Sequence, residues 1–154
     1  MGDRQSACYF MNLPTGRELN PFDNLDGRNA ERHFLGKSLE EAEALFRENS
    51  NCYQEDLMFM GAAGFRFYLH AAIRYIESEA AAGDDLMILC FLGILEHRLE
   101  FEREELIAIA HPLASACRYI LEHCERFDLS PEHYGDLLPR CRALEEALLE
   151  MVHG

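Results

Sequence analysis

The chain has 154 residues, 49% hydrophobic and 27% charged, with 14 basic against 28 acidic residues and a net charge of −14. That length fits one domain and can bury enough surface to fold without a metal or a disulfide, and the composition argues against overall disorder. So acidic a chain repels phosphate backbones and anionic lipid, so neither direct nucleic-acid binding nor membrane binding is expected; a basic protein partner is favoured, and the plainer reading is that the charge only keeps the chain soluble.

Residues 1–37 show no sustained hydrophobic period. Pro14, Gly16, Pro21 and Gly27 break the stretch, Asp26-Gly27 reads as a turn, and five acids balance five bases. This region is read as an irregular N-terminal arm or leader, from which Tyr9, Phe10, Met11 and Leu13 could dock on a neighbour, and residues 38–154 as the helical domain. Ser38-Leu-Glu-Glu41 is a capping box that starts a helix with Leu39, Ala42, Leu45 and Phe46 on its buried face. That helix is expected to end near Asn49, followed by a loop to Cys52 and a stretch, Tyr53 to Met60, open between a short helix and an irregular lead-in. Gly61 and Gly64 suggest a close approach or a turn.

Phe59 to Glu79 is the clearest amphipathic helix. Phe65, Leu69, Ala72 and Ile76 share one line at 100° per residue, and Tyr68, Ala71, Ile73 and Tyr75 widen it. An apolar arc of more than half the circumference needs contacts on several sides, which predicts a central helix. Its narrow polar arc carries Arg66, His70 and Arg74 at i, i+4, i+8. The plainer reading is an ion-pair seam closed by carboxylates such as Glu77, Glu96 or Glu100. The functional reading is a site for an anionic ligand or an acidic group.

Gly83 is expected as a helix C′ residue and Asp84 as the next N-cap. Leu86 to Leu95 is apolar all round. It predicts a helix whose first half is buried and whose second half surfaces, with Gly93 allowing close approach of another helix. The acid run Glu96, Glu100, Glu102, Glu104 and Glu105, partly offset by Arg98 and Arg103, is either a solvated helix end or a docking surface for a basic partner. Leu106, Ile109, Leu113, Ala116, Cys117, Ile120, Cys124 and Phe127 form a second stripe, kinked or split at Pro112. Ser130-Pro131-Glu132 starts a short helix, and Leu137, Cys141, Leu144, Leu148 and Met151 mark a last one beginning near Pro139. No strand or repeat is visible. The expected fold is all-α, a single-domain irregular bundle of five to seven helices.

Six cysteines at 8, 52, 90, 117, 124 and 141 contain no Cys-x-x-Cys pair. Buried free thiols are the better reading, in a reducing compartment. No basic stretch leads into an apolar one as in a signal peptide, and the ten-residue run Leu86 to Leu95 is half of what spans a bilayer, so cytoplasmic is the expected location. Glu-x-x-His, His-Glu-x-x-His, Gly-x-Ser-x-Gly and phosphate-loop motifs are absent. Glu96, His97, Glu100 and Glu104 could bring two or three metal ligands together, but on a solvated acidic helix end, so neither a metal nor another cofactor is expected.

The segment Phe59 to Ile76, above all Phe65-Arg-Phe-Tyr-Leu-x-Ala-Ala-Ile-Arg-Tyr-Ile76, resembles the hallmark segment of a bacterial family of small proteins of unknown function, and Phe34-Leu-Gly-Lys-Ser-Leu-Glu-Glu41 is similar too. The family pattern prefers proline where this chain has His70. The resemblance implies a bacterial, cytosolic, mainly helical protein and carries no activity or catalytic residue.

The leading expectation is a non-enzymatic interaction protein that binds a basic partner, as an immunity protein or inhibitor does. Arg66, His70, Arg74, Glu96, Glu100 and Glu104 are its candidate binding residues. The rival is a small enzyme or ligand-binding protein with a pocket between helices near the Arg66/His70/Arg74 stripe. A third reading is an acidic mimic of nucleic acid. Oligomeric state stays open.

Overall fold

A computed structural model describes residues 13–154. The fold is all-α: among the described residues six α-helices have seven residues or more, within the expected five to seven, and no strand is present. No helix among them is long and apolar enough to cross a membrane. The chain divides into two compact units, one ending at Tyr75 and one running Ile76–Gly154.

The first unit corrects the reading of the arm. Tyr9, Phe10 and Met11 lie outside the described residues, but residues 13–37 carry two helices. Thr15 opens α1 (Gly16–Leu19) with a capping box: Glu18 N donates to Thr15 Oγ1 at 3.2 Å, and Thr15 N donates to Glu18 Oε1 at 2.9 Å. Asn24 caps α2 (Leu25–Phe34), accepting from Gly27 N at 2.7 Å. The buried residues of α2 are Gly27, Ala30 and Phe34. They keep helical spacing, but two of the three carry almost no apolar side chain, so the buried face is marked by where the charged residues are missing and not by apolar bulk. Gly27 is a packing residue and not a turn residue, because a Cβ there would stand 2.2 Å from Asn20 Oδ1.

The capping box at Ser38 forms as expected, with Glu41 N donating to Ser38 Oγ at 3.1 Å, and it opens α3 (Leu39–Phe59). Glu41 also accepts from Ser38 N, and these bonds hold its carboxyl below the usual range. The helix does break at Asn49, whose φ of −158° and ψ of 78° are not helical. The loop expected after it is absent. Asn49 Oδ1 accepts from Cys52 N at 3.1 Å, so the residue that stops one helical run caps the next.

The amphipathic helix, α4, spans Ala62–Ile76 and is shorter than the Phe59–Glu79 expected. Phe65, Tyr68, Leu69, Ala71, Ala72, Tyr75 and Ile76 are buried, as the period requires. Gly61 marks a close approach, since a Cβ there would meet the Glu18 carbonyl oxygen at 2.3 Å, and its own N–H donates to Leu19 O at 3.1 Å. An aromatic cluster fills this unit. Phe34 lies 4.9 Å from Tyr68 and 5.9 Å from Phe46, ring centre to ring centre, and Phe46 lies 6.5 Å from Tyr75.

In the second unit Ser78 leaves the helical conformation, and its carbonyl accepts from Arg126. A 3₁₀ turn, Glu79–Ala81, leads to Gly83 at φ +79°, which ends that turn and not α4. Asp84 then caps α5 (Asp85–Phe101), accepting from Met87 N at 3.2 Å. The first half of α5 is largely buried, and from Glu96 one face surfaces while Arg98 and Leu99 stay inside. Gly93 has no close neighbour: a Cβ there would meet nothing within 4 Å, contrary to the approach expected.

Pro112 splits the second stripe. A 3₁₀ segment, Arg103–Ile109, precedes α6 (Ala110–Glu122), which places the proline in a first turn whose N–H groups have no helical partner to lose. After a further 3₁₀ turn, Cys124–Phe127, come the four-residue α7 (Pro131–Tyr134) and the long α8 (Leu137–His153), with Leu137, Cys141, Leu144 and Leu148 buried. Arg118 of α6 grips the buried Glu145 of α8 through two bonds of 2.7 and 2.5 Å. Of the thiols, only Cys117 and Cys141 are buried; Cys52 is exposed and Cys90 and Cys124 are half-buried, so the expectation of buried cysteines holds for two positions, and Cys8 lies outside the described residues.

Candidate functional site

The expected site residues fall in two units and two environments. Glu96 and Glu100 lie on the surfacing face of α5 and Glu104 in the 3₁₀ segment after it. Glu96 is engaged by Arg140 of α8, whose Nε and Nη2 donate at 3.0 and 2.5 Å. Glu100 and Glu104 are exposed. A groove of about 320 Å³ runs between α5 and α8, floored by Leu99, Ala143, Leu144 and Ala147 and rimmed by Glu96, Glu100, Arg103 and Arg140.

The bases expected to offset this acid run do so unequally. Arg98 is buried, and its Nη1 donates to Glu102 Oε2 at 2.6 Å. Burial pushes the Arg98 guanidinium below its ordinary pKa, and Glu102 opposes that shift. Arg103 is the base of the run that is exposed, beside Glu100, Glu104 and Glu105. Between these carboxylates stand two large apolar side chains in water, Phe101 at 67% exposure and Ile107 at 57%. The His97 ring lies 4.8 Å from that of Phe101.

Arg66, His70 and Arg74 follow one another along α4, with Arg66 and His70 half-buried and Arg74 exposed. Burial, and then the positive charge of Arg74, pushes the His70 imidazole below its ordinary pKa. Arg74 takes part in none of the ion pairs among the described residues, and Glu96 bonds Arg140. No group of three or more His, Cys, Asp and Glu residues among those described is placed to hold a metal ion.

One constellation is missing from the sequence reading. His33 of α2 and Asp56 of α3 meet with Nδ1 and Oδ2 2.6 Å apart. Asp56 is only 5% exposed, and its carboxyl is pushed above the usual range by burial, against the opposing bond to His33. The Tyr53 ring packs edge-on against the imidazole at 5.2 Å. The pair lies in a cleft of about 150 Å³ lined also by Asp26, Asn29, Arg32, Cys52, Glu55 and Phe59. Neither cleft is lined by the Arg66/His70/Arg74 stripe. The only sequence signal for the pair is a histidine beside the core position Phe34. Its partner stands 23 residues away on a helix whose second half was itself ambiguous.

No protein-family model, no curated protein and no solved structure matches the chain.

Proposed function

We propose that this is a cytoplasmic, non-enzymatic interaction protein that binds a basic protein partner through the end of α5 and the 3₁₀ segment after it. The observation that carries this reading is the exposure of Phe101 and Ile107 among Glu100, Glu104 and Glu105. Interfaces draw their affinity from a few large apolar anchors that become dry on binding, and their rate and selectivity from complementary charge around those anchors. A solvated acidic helix end needs the glutamates but not a phenylalanine two-thirds in water. With Glu102 taken by the buried Arg98 and Glu96 by Arg140, the exposed charge of this segment is that of Glu100, Glu104 and Glu105 against Arg103, so it stays acidic around the two apolar side chains. The free thiols suit a reducing compartment. An immunity protein or inhibitor of a basic enzyme fits this description.

The test is capture from the source cell with the wild-type chain, Phe101→Ala and the double variant Glu100→Gln/Glu104→Gln in parallel. A basic protein held by the wild type, weakened by both variants and released by salt, is the expected result. Capture that none of these changes alters would overturn the reading.

A further inference from the structure

The His33–Asp56 pair reaches beyond that reading. A carboxylate bonded to Nδ1 makes Nδ1 the donor nitrogen, so in the neutral form of the ring it is Nε2 that carries the lone pair. Among the described residues Nε2 has no hydrogen-bond partner. Asp56 is too deeply buried to serve as a surface charge; its geometric effect is to hold the ring and its tautomer. The result is an oriented acceptor in a cleft of about 150 Å³. At the ~30 Å³ a water molecule takes in the liquid, that is room for on the order of five non-hydrogen atoms.

The charges around the cleft say what kind of ligand suits it. The lining has three carboxylates, Asp26, Glu55 and Asp56, against one guanidinium, that of Arg32, which is occupied in donating to Asn29 Oδ1 at 3.0 Å. Asp26 and Glu55 are exposed at the rim. The Phe59 ring, 46% exposed, adds an apolar wall able to face a cation. Anions are repelled here, and a neutral apolar group would leave Nε2 unsatisfied. A metal ion lacks a set of three placed ligands. From the oriented His33 acceptor, the carboxylate rim and the Phe59 wall of this cleft, we infer that it binds a small organic cation, a primary ammonium with a short apolar tail. The ammonium donates to Nε2 of His33, the rim carboxylates of Asp26 and Glu55 balance its charge, and the tail lies on Phe59. Asp56 is a positioning residue, since it acts through His33.

The experiment titrates the full chain at neutral pH and constant ionic strength with n-propylammonium and, separately, with propionate, following the His33 and Phe59 ring resonances by NMR. Saturable shifts at both rings with the ammonium alone are expected. Asp56→Asn should weaken the binding by about tenfold or more through loss of ring orientation. Glu55→Gln, an exposed change that leaves the fold alone, should weaken it about two- to fivefold. The inference is overturned if the ammonium moves neither ring, if propionate moves them equally, or if Glu55→Gln binds as the wild type does. It is overturned as well if zinc shifts His33 together with Cys52 while the ammonium leaves them in place.

Discussion

The Tyr68 hydroxyl lies 2.7 Å from the carbonyl oxygen of Phe34, and the same hydroxyl is 2.8 Å from the carbonyl of Lys37. A side chain of α4 thereby serves the last carbonyl of α2 and that of Lys37 in the link to α3, neither of which has an i+4 helical donor. The site is dry: Tyr68 is fully buried, and burial pushes its phenol up to about 12. Tyr68→Phe removes the donor and keeps the ring. The Lys37 carbonyl then loses this donor, while that of Phe34 keeps the Lys37 N–H at 3.0 Å, and the expected cost is about 1 kcal/mol, read as a lower urea midpoint at unchanged slope.

Gly61 gives a sharper steric test. A methyl group there would stand 2.3 Å from a backbone oxygen, that of Glu18, which cannot rotate away as a side chain would. Gly61→Ala should therefore destabilise by roughly 1–3 kcal/mol, as overpacking does, while Gly93→Ala, with open space around it, should be neutral or mildly stabilising. Thermal melts of the two variants compare them directly. Equal melting temperatures would contradict the packing described.

His70 makes a pH prediction with a definite sign. Its folded pKa lies below the ordinary histidine value, so the native state holds fewer protons than the unfolded state between those two values. Stability therefore rises with pH through that window, and is lost as pH falls below the ordinary value toward the lowered one. His70→Gln should flatten this acid-side loss. Arg74→Ala should move the His70 resonance titration upward, but only part of the way, because burial is the larger cause. A His70 titration that Arg74→Ala leaves unmoved would rule out the charge coupling along α4.

The thiols should fall into kinetic classes. Cys52 is exposed, whereas Cys117 and Cys141 are buried together, with Cys141 Sγ donating to Cys117 O at 3.4 Å. That partner thiol and burial push the Cys117 thiol far up. In native protein Cys52 should react quickly with a disulfide reagent, and Cys117 and Cys141 only at the rate of unfolding. Fast labelling of Cys117 under native conditions would contradict the packing of α6 on α8.

The helices with full apolar stripes, α4, α6 and α8, are legible in the sequence because leucine, isoleucine and aromatic side chains repeat at helical spacing, and capping at Ser38 and Asp84 depends on residues only three apart. The same locality explains Pro112: a proline forbids an internal turn wherever it falls, although only the structure shows α6 starting two residues before it. Where the buried face is made of small residues the apolar bulk is low and the helix is read less readily, as in α2, where Gly27 and Ala30 pack by close approach. The acid run Glu96 to Glu105 was visible as charge, but its surface character was not, because that depends on which arginine is buried and which carboxylates it takes. The His33–Asp56 pair was beyond reach for a related reason. Local propensity and periodicity act over a turn or two of chain, while a hydrogen bond between residues 23 apart exists only once two helices have packed and excluded water around it.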